Sequence, residues 1–360
     1  MDELLSFLSS PTFSICQDTI LFLLPNGQVY GRGYNLYGEL GTGNRARTPF
    51  TQMEISHTVS AISTGTVNTA VITLDGTVYA SGSSMGQLGY TETYSQTLPI
   101  PLQLPLPALK VSHGRTSTMV LLVDGTVWAL GTNEEGQLGL MSPETQYTPV
   151  QIPLPLPALD ISANDLNSLI LLSDGTVLGS GFNGSGQLGV GDAGTQSKTN
   201  FLMPMILPEG SHVMSVVCGV YHSMVLLADG SVWGCGLNTN CQVKDIPSGH
   251  ILTPVRLPSQ QRVVSVACGV NNTVYLTEDG TVYNRGRVNG LPTPVPQKMD
   301  LPSPTQAIVA SGDTVIIILD DGSPYIYGER TSSDVFGTKL TPNEAVPFLT
   351  LPPSVSDYFP

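Results

Sequence analysis

Three hundred and sixty residues accommodate one large domain or two to three ordinary ones, yet only 12% of them are charged, half of the roughly 25% usual in a globular chain. With 41% hydrophobic residues the chain buries a core and is not intrinsically disordered, because disorder needs low hydrophobicity together with high net charge. Lys and Arg number 14 against 28 Asp and Glu, a formal charge of −14, which excludes bulk nucleic-acid binding by counterion release and adsorption to anionic membrane.

The chain opens on Met1-Asp2-Glu3-Leu4-Leu5 without the basic region of a secretory signal. A short β segment, Phe13-Ser14-Ile15-Cys16, leads to the pair Asn26-Gly27. The same pair, as Asp-Gly, returns at Asp75-Gly76, Asp124-Gly125, Asp174-Gly175, Asp229-Gly230, Asp279-Gly280 and Asp321-Gly322, with successive glycines 49, 49, 50, 55, 50 and 42 residues apart. Six residues after each of these glycines stands another: Gly33, Gly82, Gly131, Gly181, Gly236, Gly286 and Gly328. Each pair lies between β-rich runs, as Asp124-Gly125 lies between Thr118-Met119-Val120-Leu121-Leu122 and Thr126-Val127-Trp128-Ala129-Leu130. Asp-Gly in that setting predicts a hairpin with a two-residue type I′ turn, positive φ at both central residues.

Each repeat adds a further β segment upstream, such as Val263-Val264-Ser265-Val266-Ala267, and downstream a loop ending in Gly-Gln-Leu-Gly at Gly86–Gly89, Gly136–Gly139 and Gly186–Gly189. The connectors are proline-rich, as in Pro99-Ile100-Pro101-Leu102-Gln103-Leu104-Pro105, and proline is tolerated only at an outer strand or in a loop. No segment shows sustained helical periodicity. Residues 1–360 therefore form a single all-β domain, a seven-bladed β-propeller with four-stranded blades, because radial closure removes exposed sheet edges. The last segment, Val346-Pro347-Phe348-Leu349-Thr350-Leu351-Pro352, reproduces a connector such as Pro149-Val150-Gln151-Ile152-Pro153, while the first enters just before a hairpin. The termini then complete each other, and the ring is expected to close by the C-terminal strand joining the N-terminal blade.

The order of strand, Gly-x-x-(His/Asn)-(Ser/Thr), apolar strand, Asp-Gly-x-Val-(Tyr/Trp), Gly-x-Asn and Gly-Gln-Leu-Gly resembles the repeat of the regulator of chromosome condensation family. The fullest copy runs from Cys218-Gly219-Val220-Tyr221-His222-Ser223 to Asp229-Gly230-Ser231-Val232-Trp233-Gly234-Cys235-Gly236-Leu237-Asn238. The resemblance covers nearly the whole chain and implies the seven-bladed fold. For function it implies a choice: exchange factor for the GTPase Ran, chromatin-docking module, ubiquitin-ligase substrate receptor, ultraviolet-B photoreceptor or secreted β-lactamase inhibitor. The chain's two tryptophans, Trp128 and Trp233, are too few for the clustered chromophore of a photoreceptor and are expected to pack. The acidic charge and lack of a basic tail disfavour chromatin.

In exchange factors of this family, acidic and histidine side chains on the turn before the central hairpin touch the GTPase. Eight residues before each turn glycine stands a polar ring: Thr19, Asn68, Ser117, Asn167, His222, Asn272 and Thr314. One and two residues earlier come Asp18, Tyr221, Asn271 and Asp313, then Gln17, Arg115 and Asp165. All are expected on one face around the propeller mouth, and Asp18, Arg115, Asp165, Tyr221, His222, Asn271 and Asp313 form the expected partner-binding rim. Inter-blade hydrogen bonding is the alternative role for the Asn and Thr members and for His222. The lengthened segment Gly189 to Asn200 is either a wedge at a nucleotide site or a tolerant loop. Arg285-Gly286-Arg287 replaces the Gly-Gln-Leu-Gly signature in the sixth repeat and gathers two of the few cations at one site.

No covalent chemistry is legible. His57, His113, His212, His222 and His250 lack metal-binding spacing, and no Gly-rich loop precedes Lys-Ser/Thr. Neither cofactor nor metal is expected. Five cysteines, an odd number without paired spacing, fit reduced thiols in an intracellular, cytoplasmic or nuclear protein. The function expected is a protein-binding propeller, monomeric, most specifically an exchange factor for a Ran-like small GTPase. A non-catalytic scaffold or inhibitor propeller is the alternative.

Overall fold

The apolar run before each Asp-Gly becomes the second strand of a sheet, and every residue of it is buried, from Thr19–Leu23 in the first repeat to Thr314–Leu319 in the last. Burial on both faces explains why these runs do not alternate apolar with polar. Each strand is sandwiched between neighbouring sheets, where a buried Val, Leu or Ile contributes about 1.5–3 kcal/mol. A computed structural model describes residues 12–16, 19–84, 86–89, 95–192, 197–288, 291–312, 314–328 and 345–347. Its strands form seven four-stranded antiparallel sheets, each contiguous in sequence. The sheets cover 12–52, 59–101, 108–151, 158–204, 213–256, 263–298 and 305–347, and no helix occurs among the described residues.

The blades stand in a ring. The first strand of each blade packs against the first strand of the next, and Thr12–Cys16 of blade one meets Thr305–Ser311 of blade seven. Blade one already holds its own fourth strand, Thr48–Gln52. No place in it is open, so the expectation that the C-terminal strand joins the N-terminal blade is corrected: Val346–Pro347 pairs with Tyr325 and Ile326 as the outer strand of blade seven. Side chains make the closure. Phe13, Ile15, Phe22 and Tyr30 share one core with Ile316, Ile318 and Ile326, and Phe22 makes T-shaped contacts with Phe13 and Phe50 at ring-centroid distances of 4.4 and 4.6 Å. The tryptophans pack, Trp128 between blades two and three and Trp233 in the core shared by blades four to six.

The hairpin turns differ from the expected type I′. Gly76 N–H donates to Thr73 C=O at 2.8 Å and Thr73 N–H to Thr77 C=O at 3.0 Å, so Leu74 and Asp75 are the central residues. Gly76 alone takes positive φ, +80°, the geometry of a turn followed by a left-handed G1 bulge. This arrangement spares the aspartate the strained left-handed region. Its carboxylate accepts the N–H two residues on, as Asp124 does from Thr126 at 2.9 Å. Glycine is needed for space as well, since a Cβ on Gly125 would stand 2.5 Å from Pro157 Cβ of the next blade. Its carbonyl accepts from Ala158 N–H at 2.8 Å, and the carbonyls of Gly27, Gly76, Gly230 and Gly280 accept likewise from Val59, Ala108, Val263 and Thr305, so these turns fix the start of the following blade.

Candidate functional site

Antiparallel order places the turns between first and second strands, and between third and fourth, on one face of the ring. On this face the central channel opens into a cavity of about 340 Å³, lined among others by Cys16, Thr66, His113, Asn164, Asp165 and Gly269. The third-to-fourth loops hold their shape from within. Asn133 Oδ1 accepts Leu138 N–H at 2.8 Å and Gln137 Oε1 accepts Glu135 N–H at 3.1 Å; Asn183 with Gln187 and Asn238 with Gln242 repeat the pattern. The Gly-Gln-Leu-Gly signature is therefore a scaffold.

Its glutamine carbonyl also binds the next blade. Thr118 Oγ1 donates to Gln87 O at 2.7 Å, Ser168 to Gln137 O at 2.8 Å and Thr273 to Gln242 O at 2.9 Å, which accounts for the Ser or Thr that follows the polar ring. The ring itself is buried: Thr19, Asn68, Ser117, Asn167, His222, Asn272 and Thr314 all lie below the surface. His222 bridges blades five and six, its Nε2 standing 2.9 Å from Thr273 Oγ1. The Thr273 hydroxyl proton is already given to Gln242, so His222 carries its proton on Nε2 and donates. Burial pushes this imidazole down to about 4, keeping it neutral.

The turn tips above the ring are accessible. Arg115 is exposed, Tyr221 is 38% exposed, and Asp165 and Asn271 are half-buried. Burial raises the Asp165 carboxyl above its usual range, opposed by the Arg115 guanidinium nearby. Asn271 Oδ1 accepts from Asn240 Nδ2 at 3.2 Å, tying this turn to the neighbouring loop. Asp165 lines the central cavity, whereas Tyr221 and Arg115 stand outside its lining. Asp18, Asp313 and Gln17 lie outside the described residues, as do residues 193–196 of the lengthened segment.

Two cavity residues carried a signal that went unread. Asn164 occupies the position held by glycine at Gly65, Gly114, Gly219 and Gly269, and its Nδ2 donates to Cys218 O at 3.0 Å, joining blades four and five. His113 Nδ1 donates to Thr118 Oγ1 at 2.8 Å, and burial holds it at about 4 as well. The expected cation pair is corrected. Arg285 is fully buried, donating to Cys241 O and to Asp245 Oδ1, both at 2.9 Å, whereas Arg287 is exposed. Residues two apart share a strand face in a regular ladder, but the ladder shifts between Asn284 and Gly286 and separates their environments.

The geometry on this face, glycine-cornered blades with third-to-fourth loops stapled by Asn, Gln and Ser/Thr, agrees with the match of a family model, the RCC1-like domain, to residues 28–350. The chain belongs to the RCC1-like domain family. Among curated proteins, none matches it by sequence. Similar folds are found in human WBSCR16, 20% identical over 90% of this chain and 94% of that one with a TM-score of 0.80, and in yeast RCC1 (Prp20) bound to Kap60, 19% identical over 84% and 78% with a TM-score of 0.76. Prp20p of Saccharomyces cerevisiae, a structure described with its binding to Gsp1p and histones, is 20% identical over 84% of this chain and 80% of that one, with a TM-score of 0.75. At this identity the likeness is one of fold.

Proposed function

We propose that this protein is a protein-binding propeller that engages a Ran-like small GTPase through the face bearing Arg115, Asp165 and Tyr221, and acts there on nucleotide exchange. The observation that carries the proposal is the division between a locked ring and free turn tips. Below, His222 and its ring companions are committed to holding blades together. Above, an exposed arginine and a half-open tyrosine share the face with a partly desolvated carboxylate that lines the cavity. Arg and Tyr are the residue types that dominate interface energetics, and a partly buried carboxylate whose desolvation a basic partner completes adds orientation. Membership of the RCC1-like family and the binding of Gsp1p and histones by Prp20p support a protein as the ligand. Free thiols at all five cysteines support an intracellular setting, and among the described residues no helix is long and apolar enough to cross a membrane. Exchange would need no bond chemistry, only stabilisation of the nucleotide-free GTPase.

The test is release of a fluorescent GDP from Ran and from a panel of small GTPases at micromolar propeller. Acceleration that falls at least tenfold in Arg115→Ala and Tyr221→Ala supports the proposal. A stable complex without acceleration identifies a non-catalytic scaffold, and absence of both rejects the GTPase as partner.

A further inference from the structure

The opposite face is built from the Asp-Gly turns and the segments entering each first strand. Here the first strands of blades two to seven share one irregularity. Ala108 pairs with Leu122 and Lys110 with Leu121, leaving Leu109 as an extra residue. Ser60, Leu159, Met214, Val264 and Gln306 are skipped in the same way. A bulge of this kind leaves its residue unpaired and re-aims the side chain. In blades three to six these residues are Leu, Leu, Met and Val, 60%, 61%, 62% and 45% exposed. Blades two and seven place Ser60 and Gln306 there instead. The fold thus accepts a polar residue at this bulge, and four successive exposed apolar ones serve something other than folding.

The apolar positions join into an arc. Val123 N–H donates to Pro107 O at 3.0 Å, while Ala108 N–H donates to Gly76 O and Ala158 N–H to Gly125 O, both at 2.8 Å. These bonds bring Leu74, Val123, Leu106 and Leu156, all at least 40% exposed, beside the bulge residues. A broad exposed apolar patch on a soluble protein marks an interaction site. Around it the turns contribute Asp75, Asp124, Asp174, Asp229, Asp279 and Asp321, whose carboxyls are held below the usual range by hydrogen bonds from their own turns. Lys110, beside Leu109, is paired with Asp160 at 2.6 Å, and Arg256 and Arg262 lie near Asp229.

We propose that this face docks a protein segment whose apolar side chains are flanked by lysine or arginine, the apolar groups covering the bulge arc and the cations meeting the turn carboxylates. A second copy of the chain is disfavoured, because a two-fold contact would set one carboxylate ring against another. The proposal concerns the face opposite the GTPase proposal and stands independently of it.

The test is fluorescence anisotropy of a labelled peptide of alternating Leu and Lys, about 14 residues long, at about 150 mM salt, where only close charge pairs survive screening. The expected result is micromolar binding to the wild type, at least tenfold weaker for Leu/Glu and Ser/Lys peptides. The Leu109→Gln/Leu159→Ser/Met214→Ser variant, which uses the residues of blades two and seven, is expected to lose at least tenfold with an unchanged circular dichroism spectrum; Leu159→Lys alone is a second variant with the same expected loss. The proposal is overturned by absence of binding to the wild type, by equal binding to the variants, by equal binding of the Leu/Glu peptide, or by a wild-type dimer in sedimentation that the triple variant abolishes.

Discussion

Replacing His222 by glutamine separates a structural histidine from a recognition one. Glutamine keeps an N–H donor within reach of Thr273 Oγ1, 2.9 Å from the imidazole, but does not titrate. The folded-state value of about 4 lies below the ordinary 6.5, so between these values the unfolded chain binds more protons than the folded one. Stability from this group is complete above pH 6.5 and falls as pH drops through the window. At pH 4.5 the loss attributable to His222 is roughly 2 kcal/mol relative to pH 7. Urea unfolding at the two pH values, for wild type and His222→Gln, measures it: the wild type is expected to lose roughly 2 kcal/mol more than the variant. His113, held at about 4 by the same cause, contributes a similar slope to both proteins and cancels in the comparison. Equal losses would refute a buried, neutral His222. In GDP release the same variant is expected to match the wild type at pH 7, since no atom of His222 reaches the surface.

Gly125→Ala is expected to destabilise the ring by about 2–4 kcal/mol, since positive φ and a clash with the neighbouring blade act together; a thermal midpoint within a degree of wild type would contradict the turn geometry. Asp245→Ala leaves the guanidinium of buried Arg285 without its carboxylate; because Asp245 is half exposed and water can reach the vacated position, the expected loss by urea titration is about 1–3 kcal/mol, whereas Arg285→Met is expected to lose less. In a thiol-reagent assay on the native protein at most one cysteine, the half-buried Cys16, is expected to react quickly. Burial pushes Cys218 up to about 12 and raises Cys235 and Cys268 further, and fast reaction of four thiols would show that the blades do not pack as described.

The repeat was legible because its residues answer to backbone constraints. A glycine at positive φ, packed at Gly76, Gly125 and Gly280 against the next blade's proline, and a Ser or Thr hydroxyl beneath a glutamine carbonyl at Thr118, Ser168 and Thr273, recur at fixed spacing because these blades pose the same problem. The type I′ expectation failed on a finer point. Asp-Gly fits either turn, and the G1 bulge prevails because the aspartate then keeps ordinary φ while its carboxylate caps the N–H two residues on. Ring closure also required register, which spacing does not reveal: blade one finds its fourth strand in Thr48–Gln52, so the C-terminal strand has no vacancy to fill there.

The candidate site was harder to read for a reason internal to strands. His222 and Tyr221 are adjacent and both polar-capable, yet one begins a strand buried throughout while the other ends a turn. Successive residues at a strand entrance point to opposite sides, so a one-position difference separates a blade-to-blade hydrogen bond from a contact surface. The variation of the buried ring among Thr, Asn, Ser and His therefore bears on how blades are joined. In the proposed function recognition falls to the tips, Arg115, Asp165 and Tyr221, where the fold imposes no common residue type and neighbouring blades are free to differ.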